Sequence, residues 1–123
     1  MKKTMLGLAV AALALAPAAP ALAAGKSATV SFVVPGADEA TSTKATYTCG
    51  DQTVAVEYVN AGSVSLALLT LKDDFVVAAN VLSGSGARYA GAQYVWWSKG
   101  MSEATLTNLM TDTQTPVECT VKN

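Results

Sequence analysis

The chain has 123 residues, 51% of them apolar, with 8 basic and 9 acidic residues and a formal charge of −1. It contains no histidine, which excludes Ser-His-Asp and Cys-His nucleophile arrangements and most catalytic zinc sites. The lack of a basic excess argues against a nucleic-acid partner.

The first stretch, MKKTMLGLAVAALALAPAAPALAA, runs from Lys2-Lys3 through a Leu/Ala run to the small-residue tripeptide Ala21-Leu22-Ala23. This is the three-part pattern of a secretory signal peptide, and its apolar run is too short and too Pro-interrupted for a comfortable membrane span. Residues 1–23 are therefore expected to be removed, leaving residues 24–123 as one domain with one modest core. Without Lys2 and Lys3 the bases fall from 8 to 6 against 9 acids, a net of −3, which suits a cationic protein partner. No cysteine precedes Cys49, so no thiol for a lipid anchor is expected near the cleavage site and a soluble periplasmic protein is expected. The two cysteines, Cys49 and Cys119, are expected to pair in that oxidising compartment and to tie an early strand to the last one. Two cysteines with no histidine make a poor metal or redox set, and no metal or cofactor is expected.

In chain order, ATVSFVV (residues 28–34) alternates, is β-branched and stops at Pro35-Gly36, so it reads as a strand, and the polar GADEATST after it as a loop. Seven further runs follow: KATYTC, TVAVEYV, VSLALLTLK, FVVAANVLS, AQYVWWSK, EATLTNLM and VECTVK. They are separated by turn chemistry such as Cys49-Gly50-Asp51, Asn60-Ala61-Gly62-Ser63, Asp73-Asp74 and Lys99-Gly100. Turns at intervals of roughly ten residues, with no clear 3.6-residue stripe, predict an all-β antiparallel sheet closed into a barrel or folded into a sandwich. Within TVAVEYV, alternation puts Val54, Val56 and Tyr58 on the core face. Within the aromatic strand, Tyr94 and Trp96 point one way while Val95 and Trp97 point the other, so a loop covers the outer aromatic or it stays exposed as a contact surface. The segment ARYAG is expected to turn the chain back before that strand.

Catalytic readings find little material. A Ser85–Lys99 dyad would need a buried lysine, whereas Lys99 sits in a Gly-flanked turn. The carboxylates are scattered, and SGSGAR without a following helix is a weak phosphate cradle. What remains is recognition, through two Gly-containing loops at Ser85-Gly86 and Lys99-Gly100.

SGARY followed at this spacing by YVWWSKG and then EAT resembles the signature of the membrane-bound and periplasmic inhibitors of c-type lysozyme, and the resemblance runs from Tyr47 to Cys119, including YTC and LALLTL. It implies a small eight-stranded antiparallel β-barrel with one disulfide, no catalytic residues, and c-type lysozyme as the protein partner. It further implies that Ser85 and Lys99 enter the lysozyme cleft and contact its catalytic carboxylates. Gly86 and Gly100 are expected to shape the two loops, Tyr89 and Trp97 to support them, and Arg88 to brace its loop or touch the partner's rim. Two features depart from the family pattern: Met101-Ser102 before Glu103 adds one residue beside the lysine, and there is no lipid-anchor cysteine. The competing expectation is a small envelope barrel holding an apolar or saccharide ligand inside it or on its Tyr94/Trp96 face.

Overall fold

The computed structural model describes residues 25–123. Eight strands follow one another in the chain: β1 (Ala40–Cys49), β2 (Gln52–Ala61), β3 (Val64–Thr70), β4 (Phe75–Val81), β5 (Ala87–Gly91), β6 (Tyr94–Lys99), β7 (Glu103–Asn108) and β8 (Val117–Val121). Each pairs antiparallel with the next, and β1 pairs with β8, so the sheet is a closed barrel with no free edge. The seam between β1 and β8 is short, with the register pairs Tyr47↔Val121, Thr48↔Thr120 and Cys49↔Cys119. The last of these pairs carries the Cys49–Cys119 disulfide, with Cα atoms 4.2 Å apart.

Alternation along the strands builds the core. Val54, Val56 and Tyr58 of β2 point inward, as their spacing predicts, and are joined by Tyr47, Ala67, Leu69, Val76, Ala78, Tyr89, Trp96 and Leu106. Eight strands enclose an interior just wide enough for side chains to fill. Trp96 and Tyr47, both fully buried, occupy it edge to face with ring centroids 5.0 Å apart.

Three expectations are corrected. Residues 25–34, which include ATVSFVV, carry no regular secondary structure, and Phe32 and Val33 are exposed. A β-prone run becomes a strand only where a ladder partner exists, and a barrel closed on itself offers none. The strand it was expected to supply begins instead inside the presumed loop, at Ala40, where Thr41 and Thr43 are themselves β-branched and pair along the whole of β2. Finally, ARYAG is not a turn but β5. Its Arg88 faces out and its Tyr89 faces in, and it joins β6 through Ala92-Gln93, with Ala92 rather than a glycine at positive φ (47°). The leader reading of residues 1–23 lies outside the described residues.

Candidate functional site

The start of β5 and the end of β6 lie at the same end of the barrel, because Ala87 is paired with Ser98. Beyond that rung the chain opens into two loops side by side: Leu82–Gly86 before β5, and Gly100–Ser102 between Lys99 and its register partner Glu103. Ser85, Gly86, Arg88, Lys99 and Gly100 are all exposed there. A pocket of about 430 Å³ opens between the loops at the barrel mouth; Tyr58, Tyr89 and Ser98 line it along with Gly86 and Gly100. Ser98 is the one buried polar residue among those described, and its inward hydroxyl follows from its place two residues beyond Trp96.

The serine loop is held from outside the barrel. Trp97 Nε1 donates to the Ser85 carbonyl at 2.9 Å, and Ser83 Oγ donates to the same oxygen at 2.6 Å. Asn80 Nδ2 adds a bond to the Arg88 carbonyl at 3.3 Å. The outward aromatic of β6 is therefore covered by a loop. Gly86 sits at φ 65° with its Cα turned onto Trp97 and the Ser98 carbonyl. With its carbonyl fixed, Ser85 still has its hydroxyl exposed to make new bonds.

The lysine loop is held from inside. Tyr47 Oη donates to the Met101 carbonyl at 3.0 Å, lies 3.1 Å from Tyr58 Oη, and Trp96 Nε1 donates to Tyr58 Oη at 2.9 Å. The Ser102 carbonyl accepts from Val121 N at 3.4 Å. Met101 and Ser102 are thus both tied by their backbone carbonyls. Burial, together with the neighbouring Tyr58 hydroxyl, pushes the Tyr47 phenol well above its ordinary value, and burial does the same for Tyr89. Both therefore stay neutral hydroxyls at physiological pH.

Of the residues expected to bind a partner, the fold gathers Ser85, Gly86, Arg88, Lys99 and Gly100 at one exposed mouth. Tyr89 is separate: it is buried against Tyr58 with centroids 5.9 Å apart and supports the mouth from within. Of the Tyr94/Trp96 pair expected to form a ligand-binding face, Trp96 is fully buried with its N–H bonded and presents no surface, while Tyr94 is half-buried. Among the described residues no group of three or more His, Cys, Asp and Glu side chains stands together to hold a metal. Tyr47 and Tyr58 are the site residues that spacing did not single out.

A family model described as membrane-bound lysozyme-inhibitor of c-type lysozyme matches residues 47–115, a stretch that contains both loops. The chain belongs to this family. The membrane-bound lysozyme inhibitor of C-type lysozyme from Pseudomonas aeruginosa is 40% identical over 77 residues, covering 61% of this chain and 60% of that protein. The protein of the same name from Cupriavidus necator is 43% identical over 65 residues, covering 52% of this chain and 51% of its own length. The chain thus spans 60% or less of the length of these curated relatives. Among solved structures, Pseudomonas aeruginosa MliC in complex with hen egg white lysozyme is similar, with a TM-score of 0.64 and 35% identity over 79% of this chain and all of that one.

Proposed function

We propose that the protein is a non-enzymatic inhibitor of c-type lysozyme that closes the enzyme's substrate cleft with its two loops. The observation that carries this reading is the pairing of an exposed Ser85 and an exposed Lys99 at one barrel mouth, on loops tied by Trp97 and by Tyr47. The family and the crystallised complex of a relative with hen egg white lysozyme support it.

The chemistry follows from the target. A retaining glycosidase flanks the scissile bond with one protonated and one ionised carboxyl group. The Ser85 hydroxyl donates to or accepts from such groups, and the Lys99 ammonium neutralises the ionised one. Occlusion of the cleft does the rest, so the inhibitor needs no catalytic group of its own. Loops held at their carbonyls lose little freedom on docking, and an interface of about 1,600 Å² is the ordinary size for an enzyme–inhibitor pair. Gly86 and Gly100 shape the loops in this reading, and Arg88 lies on the rim. A soluble periplasmic location is part of the proposal, supported by the disulfide and by the leader-like amino terminus.

The test is clearance of a bacterial cell-wall suspension by hen egg white lysozyme with and without the oxidised protein. Near-stoichiometric inhibition is expected. Lys99→Ala is expected to weaken it by two orders of magnitude or so, the cost of a desolvated charge left unpaired, and Ser85→Ala by about tenfold. Because both address one pair of carboxylates, their losses should be coupled in a double-mutant cycle. Full inhibition by both single variants would overturn the mechanism.

A further inference from the structure

The four groups inside the barrel mouth form a chain with only one consistent direction. The Met101 carbonyl can only accept, so the single Tyr47 proton points to it; the proton shared between the phenols therefore belongs to Tyr58, and the indole N–H of Trp96, which can only donate, bonds to the Tyr58 oxygen. Every donor along this path is used. No buried side-chain nitrogen or oxygen among the described residues lacks a partner.

The path starts on β6 and ends on the loop that follows the same strand. Trp96 and Trp97 are neighbours facing opposite sides of the sheet, and each secures one loop: Trp97 holds the Ser85 carbonyl directly, and Trp96 holds the Met101 carbonyl through two tyrosines. Met101 is also the middle residue of the three that connect β6 to β7. A fixed carbonyl in the middle of a connection removes backbone freedom that the loop would otherwise have.

We infer that Tyr47 is a positioning residue for the lysine loop, acting through the Met101 carbonyl to set where Lys99 is presented, with Tyr58 and Trp96 orienting its hydroxyl. Tyr47 itself is fully buried and touches no partner. This inference rests on the inhibitor reading for its effect on binding, but its effect on the loop does not.

The experiment compares Tyr47→Phe and Tyr58→Phe. Tyr47→Phe keeps the ring against Trp96 and removes both the bond to Met101 and the acceptor of the Tyr58 hydroxyl, so it is expected to weaken binding of hen egg white lysozyme roughly five- to tenfold along with a modest loss of stability. Tyr58→Phe leaves the Tyr47–Met101 bond available but removes the donor to Tyr47 and strips the buried Trp96 N–H of its acceptor, so it should lower stability at least as much and binding less. A purely structural role predicts the opposite ranking for binding, following stability. In a Lys99→Ala background, Tyr47→Phe should cost less than twofold; in a Ser85→Ala background it should keep most of its effect. Equal losses in both backgrounds, or binding that tracks stability, would overturn the inference. A readout free of lysozyme accompanies these: ¹⁵N relaxation should show greater motion of the Gly100–Ser102 amides in Tyr47→Phe and none added at Ser83–Gly86. If the unaltered protein fails to bind lysozyme, the inhibitor reading falls, and the relaxation result still decides the positioning role, unchanged order at Gly100–Ser102 sinking it.

Discussion

A methyl group placed on Gly86 would stand 2.7 Å from the Ser98 carbonyl oxygen and 2.8 Å from the Trp97 indole, whereas one on Gly100 would meet nothing within 4 Å. Both residues sit at positive φ, 65° and 62°, where a side chain costs about 1–2 kcal/mol in backbone strain. Gly100→Ala is thus expected to lose only that amount. Gly86→Ala adds a collision with a backbone oxygen and a ring that is itself clamped to Ser85, so about 2–4 kcal/mol is expected, together with displacement of the serine loop. Denaturant unfolding of the two variants checks the ordering, and equal losses would refute the account of the loop. At this scale the sequence was informative where chemistry sits in side chains: its motif singles out Ser85 and Lys99, and the fold leaves both exposed at one barrel mouth. Tyr47 was not legible, because its partner is a backbone carbonyl 54 positions away, and a main-chain acceptor leaves no mark on the sequence.

Strands were legible where alternation meets a buried face, as in Val54, Val56 and Tyr58. Hydrophobic pattern reports propensity, though, and not whether a partner is free. ATVSFVV has the pattern and no neighbour, while the polar start of β1 has a neighbour along its full length and so becomes a strand. β5 was hidden for a second reason. Its turn to β6 places the left-handed residue at Ala92, a residue type that carries no turn signal, so nothing in the sequence marks the true corner. Ala92 is exposed, which makes the strain there easy to isolate. Ala92→Gly relieves it at the cost of a more flexible unfolded chain, and a net gain of about 0.5–1 kcal/mol is expected. A thermal or denaturant midpoint that does not rise would show that the hairpin relaxes around alanine without strain.

At the scale of the barrel, closure depends on its shortest contacts. β1 makes ten register pairs with β2 but three with β8, a number matched by β4 with β5, and the disulfide sits on one of the three at the β1–β8 seam. Closing a loop of 70 residues limits the unfolded chain by about 4 kcal/mol in the entropy model, so reduction should lower the unfolding free energy by that order and open this seam first. The same seam carries both anchors of the lysine loop: Tyr47 lies on β1 opposite Val121, and Val121 N bonds the Ser102 carbonyl. The serine loop has no such link, since its ties run to Ser83 and to Trp97 on β6. Reduction should therefore loosen one loop selectively. Hydrogen exchange of the reduced protein under native conditions is expected to quicken at the β8 amides and at Gly100–Ser102 before any change at Ser83–Gly86. Uniform acceleration across both loops would mean that the bond stabilises the barrel as a whole and does not act through its closing strands.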